Sequence, residues 1–151
     1  MAIPLVIRDP RLVELHAYWD DRRGGRTMPA AGDIWLLDLA FILPHLLWIE
    51  IEHDPRRYRF RRVGTELERI YGSSIEGLTV DQVPGVRLRR MAGRAFAEVV
   101  EHRAPVCRRA RFSTAAWFMK YERLLLPVSS DGEGVDVVIG AVLPEFGPAR
   151  A

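Results

Sequence analysis

The chain carries four histidines, His16, His45, His53 and His102, and one cysteine, Cys107. A single thiol forms no intrachain disulfide. Cys107 falls near the start of a strand-like segment and reads as a buried structural thiol, because free cysteine behaves as a small hydrophobe. Glu50, Glu52, His53 and Asp54 supply metal-type donors, but their spacing matches no ligand motif. In a strand Glu50 and Glu52 share one face, which suits a solvated sheet surface. Ser73-Ser74 follows Gly72 without the pattern of a nucleophile elbow, and Ser129-Ser130 sits at a turn. No phosphate-binding glycine loop or dinucleotide fingerprint is present. Arg23-Gly24-Gly25-Arg26 reads as a helix stop.

Basic residues number 22 against 20 acidic ones, a formal net charge of +2, and all but Lys120 are arginine. So small an excess is weak evidence for an anionic partner. Arg56, Arg57, Arg59, Arg61 and Arg62 form the densest basic run. Alternation places Arg57, Arg59 and Arg61 in a row on one sheet face, with Tyr58 and Phe60 on the other. Such a row suits phosphate groups of a nucleotide or nucleic acid. The rings face away, however, and cannot stack on the same ligand. Pairing with Glu50 and Glu52 across a hairpin is the better reading. By the same alternation Arg62 follows Tyr58 and Phe60 inward, where a guanidinium needs an anionic partner. That partner is a ligand carboxylate, or Glu66 or Glu68, unless the side chain escapes to solvent at the strand end. Trp117-Phe118-Met119 puts three large apolar residues at a hairpin end, either covering a cavity or forming a contact patch.

These residues need elements to hold them. The length of 151 residues suits one domain, 1–151, with 48% hydrophobic and 28% charged residues, an ordinary globular mixture. Asp9-Pro10 opens a helix as cap and first-turn proline. Leu12, Leu15, His16 and Trp19 follow at helical spacing, so the N-terminal helix covers about 9–23. Asp33 to Leu43 reads as a short helical stretch ended by Pro44. Leu46 to His53 and Arg57 to Val63 form an antiparallel hairpin. Thr65 to Tyr71 is a short helix, and Leu78 to Gly85 is irregular. Val86 to His102 is the clearest helix, with Leu88, Met91, Ala92, Ala95, Phe96 and Val99 on one face. Pro105 to Ser113, Lys120 to Ser129 and Val135 to Leu143 are strands. Asp131-Gly132-Glu133-Gly134 turns between the last two. Pro144, Gly147 and Pro148 mark a frayed tail. The fold class is α+β, a five-stranded antiparallel sheet with helices on one face and an N-terminal flanking helix. Met1 to Arg11 is too short and interrupted for a signal peptide. The longest apolar run, Phe41 to Ile49, is too short to span a bilayer and is broken by Pro44. A cytoplasmic location without membrane contact is the expectation.

Several short stretches carry a resemblance in their order and spacing. Tyr18-Trp19 is followed by Gly25-Arg26 and Met28-Pro29, then Asp33-Ile34 and Leu43-Pro44. Arg61-Arg62-Val63-Gly64-Thr65 leads to Tyr71-Gly72 and Gly77. Tyr121-Glu122-Arg123-Leu124-Leu125-Leu126-Pro127-Val128 precedes Asp131-Gly132. Together they resemble the PAS family, specifically a subfamily of small, stand-alone alphaproteobacterial PAS-like proteins. The departures are Ala30-Ala31 where the subfamily has an arginine, Arg62 where it has an apolar residue, and Asp33-Ile34-Trp35 without a proline. The resemblance implies the strand order 2-1-5-4-3, a core over about 43–143, and sensing or protein interaction rather than catalysis. Haem in such a domain needs an imidazole facing the cavity, and His102 ends the long helix. The flavin-type reactive cysteine of light-sensing relatives sits in an Asn-Cys-Arg helix motif, unlike Val106-Cys107-Arg108-Arg109. The cofactor is therefore left unknown.

The expected function is a stand-alone sensory or regulatory domain acting in signal transduction. It would bind a small molecule, a partner signalling protein, or both. The ligand would lie between helices and sheet, touching Phe60, Arg62, Tyr71, Met91, Phe96 and Trp117. The N-terminal helix would mediate a homodimer. The alternatives are a small cone-fold isomerase or dehydratase using Glu122 or Asp136, and an anion- or nucleotide-binding module using the Arg57–Arg61 row. Nucleic acid is the less favoured partner.

Overall fold

The computed structural model describes residues 4–113 and 117–148; for 112, 113, 117 and 146–148 only the backbone course is described. Helix α1 spans Pro10–Arg23. Its start is fixed by Asp9, whose carboxylate accepts from the Arg11 N–H at 2.8 Å, a standard cap for an orphan donor. Leu12, Leu15 and Trp19 form its buried stripe. Past α1 the expected single helical stretch is instead three separate 3-10 turns, Ala31–Asp33, Leu36–Leu39 and Leu43–His45. Extended backbone at Ile34 and Trp35 breaks any continuous helix there. The break buries Ile34, Leu39 and Ile42 while Trp35 and Leu37 stay exposed.

Strands β1 (Leu46–Glu52) and β2 (Arg57–Val63) form the first hairpin. Helices α2 (Thr65–Tyr71) and α3 (Val86–His102) follow, with a 3-10 turn at Val80–Gln82 between them. Strands β3 (Val106–Ser113), β4 (Trp117–Val128) and β5 (Val137–Pro148) close the chain. All pairings are antiparallel. The sheet order is β2-β1-β5-β4-β3, as the resemblance implies. β5 does not end at Leu143. It continues beside β4 as far as Pro148 opposite Trp117. Beyond Ala141 it has lost its β1 neighbour, so Pro144 sits at a locally open edge, where a missing N–H is tolerated.

Two glycines mark close backbone approaches. A Cβ at Gly64 would lie 2.1 Å from the Pro44 carbonyl oxygen, and one at Gly140 would lie 2.3 Å from that of Leu124. Only glycine fits there without moving backbone.

The sheet is covered on both faces. Successive strand residues point to opposite sides. Glu122 of β4 faces α1 and accepts from the Arg8 and Asp9 N–H groups. Tyr121 faces α3 and donates to the Met91 sulfur. Trp19 fixes the other end of α1, its indole N–H donating to the Pro127 carbonyl at 2.8 Å. Among the described residues no helix is long and apolar enough to cross a membrane.

Candidate functional site

The site is built between α2, α3 and the inner sheet face. The 3.6-residue period of α3 brings Leu88, Met91, Ala92, Ala95 and Phe96 to one side, as their spacing predicts. Ile70 and Tyr71 enter from the end of α2. Leu47, Met119, Tyr121, Arg123 and Val142 form the sheet wall. The space between them is about 40 Å³. That is room for one or two waters, against about 300 Å³ or more for ordinary ligand clefts. The interior is thus nearly filled in this conformation. Met91, with its unbranched thioether, is the side chain best able to vacate it.

Aromatic rings brace the space. Phe60 is fully buried and stands edge-on to Phe96 and to Tyr71, with centroids 5.9 and 6.2 Å away. Tyr58 packs tilted on Phe96 at 5.8 Å. Such pairs contribute about 1 kcal/mol each beyond simple burial. Three polar groups serve the apolar wall. Burial pushes the Tyr71 hydroxyl up to about 12, with Arg123 pulling it down and Tyr121 adding to the rise. Tyr121 donates to Met91 Sδ at 3.1 Å, while the Arg123 guanidinium lies 5.8 Å from the Tyr121 ring centre. The cavity therefore suits an apolar group with one hydrogen-bonding or anionic end.

Tyr71, Met91 and Phe96 come together here, and Phe60 touches two of the lining rings from behind. Arg62 does not join them. Trp48 stands opposite Arg62, but Ile49 stands opposite Phe60, so β2 holds one extra residue. This β-bulge resets the alternation: Phe60 and Val63 turn inward, and Arg61 and Arg62 are both exposed. Of the readings open for Arg62 the structure shows the escape to solvent, and its place among the ligand-facing residues is corrected. The Trp117 side chain lies outside the described residues. Tyr121 and Arg123 were missed as wall residues. Their alternation with Glu122 in β4 is the signal that finds them.

On the other sheet face Glu122 is 8% exposed. It collects the Arg8 and Asp9 N–H groups at 2.8 Å each, the Arg109 guanidinium at 3.0 Å and the Cys107 thiol at 3.5 Å. Burial works against its ionisation, but these donors outweigh it and hold the carboxyl below the usual glutamate value. Cys107 is buried, and burial together with Glu122 pushes its thiol up to about 12. Asp136 lies in the β4–β5 loop, where its carboxylate accepts from the Ser130 N–H. Neither Glu122 nor Asp136 lines the cavity. Two of the three arginines in the row pair as expected, Arg59 in a two-pronged contact with Glu52 and Arg61 with Glu50, while Arg57 is exposed without an ion pair among the described residues. His102 is exposed at the end of α3. His16 stacks on Trp19 at 5.9 Å. His45 has a buried Nδ1 without a hydrogen-bond partner among the described residues. Burial and nearby Arg11 lower its pKa.

A family model described as a PAS domain matches residues 7–143 of the chain. No curated protein matches it.

Proposed function

The chain belongs to the PAS-domain family, and we propose that it is a sensory or regulatory domain acting in signal transduction from the cytoplasm. A small molecule or a partner protein sets the packing of α3 against the sheet, and β4 carries that state to α1. The observation behind this reading is the adjacency of Tyr121 and Glu122. One is tied to Met91 on the cavity side, and the other is tied to the Arg8 and Asp9 N–H groups, just ahead of α1, on the far side. A shift of one residue turns the next, because the two share a pleated backbone. A ligand drives such a shift only by binding one packing more tightly than the other. With about 40 Å³ now open, binding requires Met91 to swing away. The outward face of α1, where Val13 is 47% exposed, is the surface we assign to a second copy or a signalling protein.

Native mass spectrometry of the purified protein tests this. A bound small molecule, or a dimer, is expected in the native chain and is lost or weakened in Tyr121→Ala. A bare monomer, insensitive to Tyr121→Ala and unresponsive to added apolar probes such as indole, overturns it.

A further inference from the structure

Several surface arginines are matched to carboxylates: Arg11 to Asp9, Arg22 to Asp38, Arg26 to Asp33, Arg59 to Glu52, Arg61 to Glu50. A groove between α3 and the free edge of the sheet departs from that pattern. Arg90 and Arg94 line it from α3, Arg108 and Arg111 from β3, and Arg123 from β4, with Tyr121 between them. Its one carboxylate, Glu98, is already held by Arg108 through a two-pronged contact. Arg90, Arg94, Arg111 and Arg123 have no ion-pair partner among the described residues. Four arginines without an ion-pair partner among the described residues thus border one groove of a chain whose formal net charge is only +2.

The arrangement is unfavourable for the chain alone. Arg90 and Arg94 are four apart on a helix, a spacing at which like charges repel. An anion reverses the sign of that term. We propose that this groove is a binding site for a small molecule carrying an oligophosphate group, of the nucleoside di- or triphosphate class. Guanidinium forks match phosphate oxygens two at a time. The groove volume of about 590 Å³ falls in the range of small-molecule sites, roughly 300–1,000 Å³. Arg90 and Arg94 are about 6 Å apart along α3. A di- or triphosphate chain presents several sets of paired oxygens to such forks, where a single phosphate presents one. The site lies outside the apolar cavity and does not require that cavity to be occupied, although Met91, Tyr121 and Arg123 border both.

Isothermal titration of the full chain with ATP and, separately, with sodium tripolyphosphate tests the proposal at low and at physiological salt. Binding with a Kd below about 100 μM at low salt is expected, weakening as salt rises. Equal affinities show that the groove reads phosphate alone; tighter ATP binding shows that the nucleoside adds contacts. The paired substitutions Arg90→Gln and Arg94→Gln are expected to cost at least about tenfold in affinity, and Arg123→Gln alone a comparable factor. These positions are exposed or half-exposed, and far-ultraviolet circular dichroism verifies that the variants fold. Arg69→Gln, on α2 and outside the groove, leaves affinity unchanged. Absence of binding by both probes at low salt, or wild-type affinity in the paired variant, overturns the assignment.

Discussion

The Glu122 carboxylate lies 3.0 Å from the Arg109 guanidinium across the β3–β4 pair, and both its oxygens also close on the backbone where α1 begins. A single buried acid therefore joins two strands and a helix. Glu122→Ala leaves the Arg8 and Asp9 N–H groups without their acceptor and removes the anionic partner of Arg109. The expected loss is about 2–3 kcal/mol, read from urea unfolding. A loss under about 0.5 kcal/mol contradicts the anchoring role.

The same group sets an acid limb of stability. Its folded pKa lies below the ordinary 4.5. The unfolded state then takes up the proton first as pH falls, so stability is full above about 4.5 and declines as pH drops through the lower folded value. Glu122→Gln is expected to flatten that decline between pH 5 and 3. Identical acid limbs in both proteins contradict it.

Cys107 offers an independent check on the same face. With its thiol pushed up to about 12, little thiolate exists at pH 8, and burial blocks reagent. Labelling by a disulfide reagent is expected to be at least about a hundredfold slower in native than in urea-unfolded protein. Equal rates contradict the placement.

Met91→Ala enlarges the cavity. A cost of about 2–4 kcal/mol in stability is expected, with partial recovery on adding an apolar probe such as indole, seen as a rise in Tm that grows with probe concentration. No recovery at saturating probe counts against a ligandable space.

Much of this was legible in the sequence. The limits of β2, α2 and α3 coincide with the expected ones, because Arg57–Arg61 alternates and Asp54-Pro55 and Gly64 bound the strand, Gly64 and Gly72 bracket one helix, and α3 keeps a broad apolar stripe. The inward ends of Tyr71, Met91 and Phe96 follow from the same patterns. Arg62 was misplaced by carrying the Tyr58–Phe60 alternation one step too far: Arg61-Arg62 sets two polar residues in succession before Val63, the phase shift that the bulge produces. The continuation of β5 through Pro144 depends on which neighbour it has lost, again a tertiary fact. The side of the sheet that α1 covers was equally hidden, since Leu12, Leu15 and Trp19 state only that a stripe is buried. The placement of Arg62 at the surface is itself testable: Arg62→Leu is expected to change stability by less than about 0.5 kcal/mol, and a larger change shows that the side chain is held.

Coupling between the cavity and α1 is read most directly by hydrogen exchange at the Arg8 and Asp9 amides. Both are held by Glu122. In Tyr121→Phe, which removes only the hydroxyl that meets Met91, exchange at these two amides is expected to quicken at least about fivefold, while amides of the β1–β2 hairpin keep their rates. Unchanged exchange at Arg8 and Asp9, or a uniform rise across the whole sheet, contradicts transmission through β4.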